Sequence, residues 1–394
     1  MKRILCFINK TVDQTSDYHK GVKQNFEKYD GNTGNFLFNY ALEKYLTNDL
    51  CSVTYSNIQI FKYSNIIENI NYINSNFDMI LFSSANILNL GNKKQLESFT
   101  ELINKIKIPT YFIGIGIQAI NNEELEELKK APFIKDFIKS VYNNGGHFAC
   151  RGQITGEFIE NLGFDNFEIT GCPSMFIKDK NFKIEKQDLN EKNLKLLLNA
   201  TEILKNPIIN KLFIEYPDSI FIDQDRFYKI LYDKNKLINK IRYSNTSIIK
   251  RFNQITLDLL KNNRIKLFSD IPVWFNYLQD NNFNFSFGGR IHGSIIAILN
   301  NIPACVYIKD LRIKELVDFY HIPYINKIDE TFNIIDLYNK IDYSDFNKSY
   351  AQNFENYQNF FKKHDIPCIL GENSKFDEKI SKINFQNPED YITF

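Results

Sequence analysis

Short apolar runs alternate along this chain with amphipathic stretches of helical period, and that alternation constrains the fold more than any other feature. Apolar runs suit strands covered on both faces, the condition of a parallel sheet between helices. In the first half the predicted strands are Arg3–Ile8, Met79–Phe82, Thr110–Gly114, His147–Cys150 and Phe167–Ile169. Between them, Phe36–Leu46 repeats Phe38, Leu42 and Leu46 on one helical face. Asn92–Ile106 repeats Leu96, Phe99, Ile103 and Ile106, and Glu123–Asn143 forms a helical segment with a charged face. A helix after each strand implies right-handed crossovers.

The pattern loosens at Lys178–Lys192, a polar stretch rich in Lys, Asp and Glu that reads as a linker. It resumes with predicted strands at Asn193–Asn199, Ser219–Asp223, Ile265–Phe268, Asn284–Phe287 and Ala304–Ile308. Tyr350, Phe354, Tyr357, Phe360 and Phe361 then fall at helical spacing, as in a terminal helix that docks on one of the domains. The expected organisation is α/β: one domain over residues 1–180, a second over 190–340, and a helical extension over 341–394. Two such halves place a ligand in the cleft between them, at the C-terminal ends of the strands.

Composition excludes several classes of function. Hydrophobic residues make up 43% and charged residues 24%, which is too apolar for a disordered chain. Lys and Arg number 48 against 47 Asp and Glu, so no global field draws in nucleic acid or an anionic membrane. An anionic ligand must be held by a local site. The basic start is followed by an apolar run of only Ile4 to Ile8, too short for a signal peptide, and nothing approaches the ~18 apolar residues of a membrane span. Six cysteines, at 6, 51, 150, 172, 305 and 368, are scattered without CxxC or zinc-ligand spacing. They read as reduced thiols, and the expectation is a cytoplasmic protein with no metal and no nucleic-acid partner.

The most specific segment is Phe285-Ser-Phe-Gly-Gly289-Arg290-Ile-His292-Gly293-Ser294. A strand ends, two glycines permit a tight turn, and an apolar helix begins. Free N–H groups at such a helix start favour an anion. Arg290 can grip phosphate or carboxylate in bidentate fashion, and His292 is a proton donor or acceptor that titrates near neutrality. Downstream, Asp310 stands at an N-cap position, with Arg312 in the first turn and Glu315 following. Upstream, Asp30-Gly-Asn32-Thr-Gly34-Asn35 enters a helix with two glycines that allow close backbone approach, but it lacks the Walker and GxGxxG endings. Arg151, in Ala149-Cys-Arg-Gly152, ends a strand and points into the cleft. Cys172, in Thr170-Gly-Cys-Pro-Ser174, is no nucleophile on this reading, because the segment supplies no adjacent base.

Taken in order, these segments resemble the polysaccharide pyruvyl transferase family over roughly residues 1–325. The match comprises Asp30-Gly-Asn-x-Gly-Asn35, Ala149-Cys-Arg-Gly152 with Thr155, Thr170-Gly-Cys-Pro-Ser174, Gly289-Arg-Ile-His-Gly293, and Asp310-x-Arg312 with Glu315. Gly289 and the middle of Asp310-Leu-Arg-Ile-Lys314 depart from the family's more usual residues. The resemblance implies two Rossmann-like domains facing a central cleft in a GT-B-like arrangement, the first on the acceptor side and the second on the donor side. It also implies transfer of pyruvate from phosphoenolpyruvate to two hydroxyls of a sugar, giving a cyclic ketal and phosphate, with no cofactor.

The roles that follow are specific. His292 acts as acid or base beside Arg290; Gly289, Gly293, Ser294, Asp310, Arg312 and Glu315 bind donor; Asp30, Asn32, Asn35 and Arg151 face the acceptor. The partners are then a small-molecule donor and a saccharide acceptor, with peripheral membrane contact where the acceptor is lipid-linked. Oligomeric state is left open. A glycosyltransferase of the same fold using a nucleotide-sugar donor is the competing expectation, and a non-catalytic sugar- or anion-binding protein is a third.

Overall fold

Every residue from Ile4 to Ile8 is buried, so the first strand must lie inside a sheet covered on both faces. A computed structural model of the chain describes residues 1–8, 32–57, 69–189, 194–199, 206–224, 254–268 and 270–371. In it, β1 (Lys2–Ile8) is followed by α1 (Gly34–Leu46), β2 (Cys51–Asn57), α2 (Ile70–Asn76), β3 (Met79–Ser83) and α3 (Lys93–Lys105). Next come β4 (Thr110–Ile115), α4 (Asn122–Lys130), α5 (Pro132–Asn143), β5 (Phe148–Cys150), α6 (Gln153–Asn161) and β6 (Phe167–Ile169). The strands form one parallel sheet in the order β2-β1-β3-β4-β5-β6.

Two features differ from the periodicity. Strand β2 lies at the sheet edge and mixes polar with apolar residues, so it lacks the apolar run that marks the inner strands. The predicted helix Glu123–Asn143 is two helices. Ala131 is held extended before Pro132, which opens α5 where no amide donor is needed.

The second unit comprises β7 (Leu196–Leu198), α7 (Pro207–Glu215), β8 (Ile220–Asp223), α8 (Gln254–Lys261), β9 (Ile265–Leu267) and α9 (Ile271–Asn281). It continues with β10 (Phe285–Gly288), α10 (Ile291–Leu299), β11 (Ala304–Tyr307), α11 (Leu311–Tyr320) and β12 (Tyr324–Ile325). Its parallel order, β12-β11-β10-β7-β8-β9, is the doubly wound Rossmann order. The two six-stranded parallel sheets make two Rossmann-like units in a GT-B-like arrangement.

After α12 (Ile334–Lys340), the long helix α13 (Ser344–Lys363) lies against the first unit. Tyr357 stacks on Phe176 at 4.8 Å and meets Tyr45 at 5.9 Å, while the Tyr350 hydroxyl donates to Met175 O at 3.0 Å. This return explains α1. Its spacing predicts one apolar face, yet it is buried on nearly every side, because the first sheet, α10 and α13 all pack on it. Among the described residues no helix is long and apolar enough to cross a membrane.

Candidate active site

In a doubly wound sheet the strand order reverses at one point, and the crevice beyond the strand ends there is the natural ligand site. In the second sheet that point lies between β7 and β10, whose ends carry Asn199 and Gly288-Gly289-Arg290. Gly288 has φ 152°, a conformation costly for other residues, and it turns the chain into α10. The Arg290 amide donates to Asn199 Oδ1 at 3.2 Å, and Asn199 Nδ2 donates to Ser286 Oγ at 3.4 Å and Ser294 Oγ at 3.3 Å. Buried Asn199 therefore fixes the corner that presents Arg290 and His292.

Gly293 is needed for packing: a β-carbon there would stand 2.9 Å from Gln224 Nε2 and 3.0 Å from Asn199 Nδ2. Gly289 is tight as well, with its β-carbon position 3.3 Å from Tyr307 O. One expectation is corrected here. The Gly293 and Ser294 amides both donate to Arg290 O, at 2.9 and 3.2 Å, so they close the first turn of α10 and are not available to a ligand. The Ile291 and His292 amides precede any intrahelical acceptor, as the first N–H groups of a helix do.

His292 reaches across to the first unit. It is 6% exposed, its ring lies 5.5 Å from that of Phe38 on α1, and Nε2 is 3.8 Å from Cys172 Sγ. The sequence offers Cys172 no base, whereas the fold brings His292 to it from the other unit. The thiol is fully buried and also meets Ser174 Oγ at 3.1 Å.

Arg151, just beyond β5, is buried beside this ring. Its Nε donates to Gly114 O at 2.7 Å, Nη1 donates to Asn86 Oδ1 at 3.2 Å, and the guanidinium lies 5.5 Å from the Phe38 centroid. Gly116 makes room for it, since a β-carbon there would stand 3.0 Å from Arg151 Cδ. Arg312, in the first turn of α11, donates from Nη2 to Asp310 Oδ2 at 3.2 Å, while Asp310 Oδ1 caps the helix through the Ile313 amide at 2.8 Å. Asp310 thus serves the helix and aims Arg312. Arg151, expected to face the acceptor, stands instead with the residues around His292.

The electrostatics revise the expected titration. Burial lowers the pKa of His292 well below its ordinary value, and the charges of Arg151, Arg312 and Arg290 lower it further. In the free protein His292 is neutral at neutral pH, contrary to the sequence expectation.

Glu315 joins the two units. It is buried and accepts from the Thr155 amide at 2.6 Å and the Thr155 hydroxyl at 3.0 Å, while Gly152 leaves room for it: a β-carbon there would meet Glu315 Cγ at 2.4 Å. Both oxygens are engaged by Thr155, so the expected donor contact gives way to a positioning role. Burial raises its pKa to about 7, against the opposing Thr155 bonds and the charge of Arg151. A carboxyl group raised from ~4.3 in the unfolded chain binds more protons folded than unfolded, so its stabilising effect is present below ~4.3 and fades as pH rises to about 7. Glu315→Gln should flatten the fall in melting temperature across that window. Calorimetry of both proteins at about pH 5 and about pH 8 checks this.

On the other wall, Asn32 Oδ1 accepts from the Gly34 amide at 2.9 Å and Asn32 O accepts from the Asn35 amide at 3.0 Å. The Thr33 amide donates to Gln224 O at 2.9 Å, and a β-carbon on Gly34 would stand 2.2 Å from Gln224 Oε1. Gly34 therefore admits Gln224 and not a ligand. Asn32 and Asn35 remain partly exposed, and Asp30 lies outside the described residues. Sequence reasoning missed Asn199, Gln224 and Phe38 as site residues. The first two share one signal, a polar residue at the end of an apolar strand.

Three buried donors at this junction, Arg151 Nη2, Arg312 Nε and Gln224 Nε2, have no acceptor among the described residues. Buried donors of this kind call for an acceptor-rich partner, and guanidinium groups favour an anion. A neutral imidazole beside them can exchange a proton with that anion.

The family model described as polysaccharide pyruvyl transferase matches residues 32–310. No curated protein matches the chain. Among solved structures, a protein of Listeria monocytogenes described as a UDP-N-acetylglucosamine 2-epimerase has 11% identity and a TM-score of 0.48, over 93% of this chain and 99% of that one. The UDP-GlcNAc 2-epimerase of Neisseria meningitidis has 12% identity and a TM-score of 0.41, over 91% and 94%. With the family model spanning the loop at Asn32, the Arg151 strand end, the Cys172 corner and the Arg290–His292 turn, the chain belongs to the polysaccharide pyruvyl transferase family.

Proposed function

We propose that this protein transfers pyruvate from phosphoenolpyruvate to a sugar diol of a polysaccharide or its precursor, forming a cyclic ketal and releasing phosphate. The observation that carries the reading is the set of buried donors on Arg151, Arg312 and Gln224 that have no acceptor among the described residues, around a neutral His292. Phosphoenolpyruvate offers a phosphate and a carboxylate, and a chain with a net charge of +1 must hold them by such local groups.

Arg290, Arg312 and the first amides of α10 bind the anionic groups, and Arg151 adds charge from the first unit. Asn32 and Asn35 face the sugar. Bound anion cancels much of the arginine charge, so the His292 pKa rises and the ring takes up a proton. His292 then delivers that proton to the terminal enol carbon as one sugar hydroxyl adds to C2. The second hydroxyl displaces phosphate from C2, and its proton leaves on the phosphate. Of the two hydroxyl protons, one replaces the proton spent by His292 and the other departs with the leaving group. Arginines supply the positive charge, and no step is assigned to a metal or cofactor.

A thermal-shift screen of donors tests the reading. Phosphoenolpyruvate should raise the melting temperature at concentrations where nucleotide sugars do not. Stabilisation by a nucleotide sugar alone would favour a glycosyltransferase, and binding of phosphoenolpyruvate without turnover would favour a non-catalytic binder.

A further inference from the structure

The fold assembles a second group of chemically competent side chains at the opposite end of β5 from Arg151. His147 immediately precedes β5, Glu168 lies on β6, and His364 is the residue that ends α13. One ligand atom from each can be chosen so that all three lie within 4.8 Å of one another. His364 Nε2 is 3.3 and 3.4 Å from the two Glu168 oxygens, and His147 Nδ1 is 3.7 Å from Oε2. The histidine rings lie side by side, with centroids 4.2 Å apart.

Three further observations point to a ligand. His147 Nδ1 is buried and has no hydrogen-bond partner among the described residues. Lys363 engages Glu168 Oε1, while Oε2 lies within reach of both imidazoles, 3.4 Å from His364 Nε2 and 3.7 Å from His147 Nδ1. The rings of Tyr111 and Phe360 pack on His364 at 5.2 and 4.7 Å and hold it in place. Zinc bonds of about 2.0–2.1 Å in a tetrahedron set ligand atoms about 3.3–3.4 Å apart, close to the two histidine–carboxylate separations of 3.4 and 3.7 Å at Oε2.

We propose that His147 Nδ1, Glu168 Oε2 and His364 Nε2 bind one divalent cation of the zinc type, with water completing a tetrahedron, and that this clasp fastens the end of α13 to the first sheet. The site is remote from His292 in function, since Arg151 leaves the other end of the same strand. Zinc should therefore change stability and not chemistry.

The experiment is titration of the full chain with Zn²⁺, followed by calorimetry, with Co²⁺ as a spectroscopic probe. The expected result is one zinc per chain, a melting temperature raised by a few degrees, and visible cobalt bands of a tetrahedral nitrogen and oxygen site. His147→Ala and His364→Ala should each weaken binding by at least about 100-fold, the upper range for losing a mere outer-shell partner. Circular dichroism without metal checks that the variants fold. Lys363→Gln keeps all three ligands and should retain binding. Absence of stoichiometric zinc, or equal affinity in the His147→Ala/His364→Ala double variant, would overturn the proposal. So would loss of zinc stabilisation in Lys363→Gln as large as in His147→Ala, which would mark the cluster as an ion-pair latch.

Discussion

His292→Ala lowers kcat by roughly 10²–10⁴-fold while the KM for donor changes little. On the proposed mechanism the effect falls on kcat, because the imidazole contributes when protons move and guanidinium and amide groups around it hold the anion. The free protein's kcat/KM should show no His292 limb near neutrality, since burial and then Arg151, Arg312 and Arg290 hold the ring neutral. Donor binding should instead be accompanied by proton uptake, which calorimetry in buffers of different ionisation enthalpy measures. His292→Asn is the companion variant, because it keeps polar volume against Phe38 and Cys172. Normal turnover with a much lower melting temperature in both variants would make His292 a structural residue and would remove this mechanism.

Arg151→Met should weaken donor binding by roughly 10²–10³-fold, the range for losing one partner of a buried charged contact. Methionine replaces the apolar stem over Phe38 but leaves Gly114 O and Asn86 Oδ1 without their guanidinium donor. A stability loss of about 1–3 kcal/mol should accompany it. A diagnostic second effect concerns His292: with one positive neighbour gone, its pKa should rise toward its ordinary value. Titration of the ring by nuclear magnetic resonance in wild type and variant reads this. Unchanged donor affinity with only a stability loss would assign Arg151 to the fold alone.

What could be read in the sequence is what lies close together along the chain. Inner strands such as Met79–Ser83 announce themselves because both faces are buried, and Arg290 with His292 stands out because a strand end, two glycines and a helix start are contiguous. The edge strand β2 and the two-residue β12 lack that signal. Glu315 and Thr155 are separated by 160 residues, and their pairing depends on how the two units face each other. His364 and Glu168 are separated by 196 residues, so no ligand spacing could show them. Likewise, the glycine at 34 looks like a ligand-approach residue until Gln224 is seen to fill the space. Side chains that meet across the two units were invisible for one reason: their proximity is a property of the second sheet docking on the first.

The central claim is that the buried arginines and His292 act on the C–O bond of phosphoenolpyruvate. The most direct measurement uses phosphoenolpyruvate labelled with ¹⁸O in the bridge between C2 and phosphorus, incubated with the protein and a saccharide acceptor. Ketal formation breaks the C2–O bond, so the label should appear in released phosphate, in one-to-one amount with a saccharide that has gained a pyruvate ketal. Label retained in free pyruvate, or a saccharide that gains a sugar from a nucleotide donor and no ketal, would contradict the account.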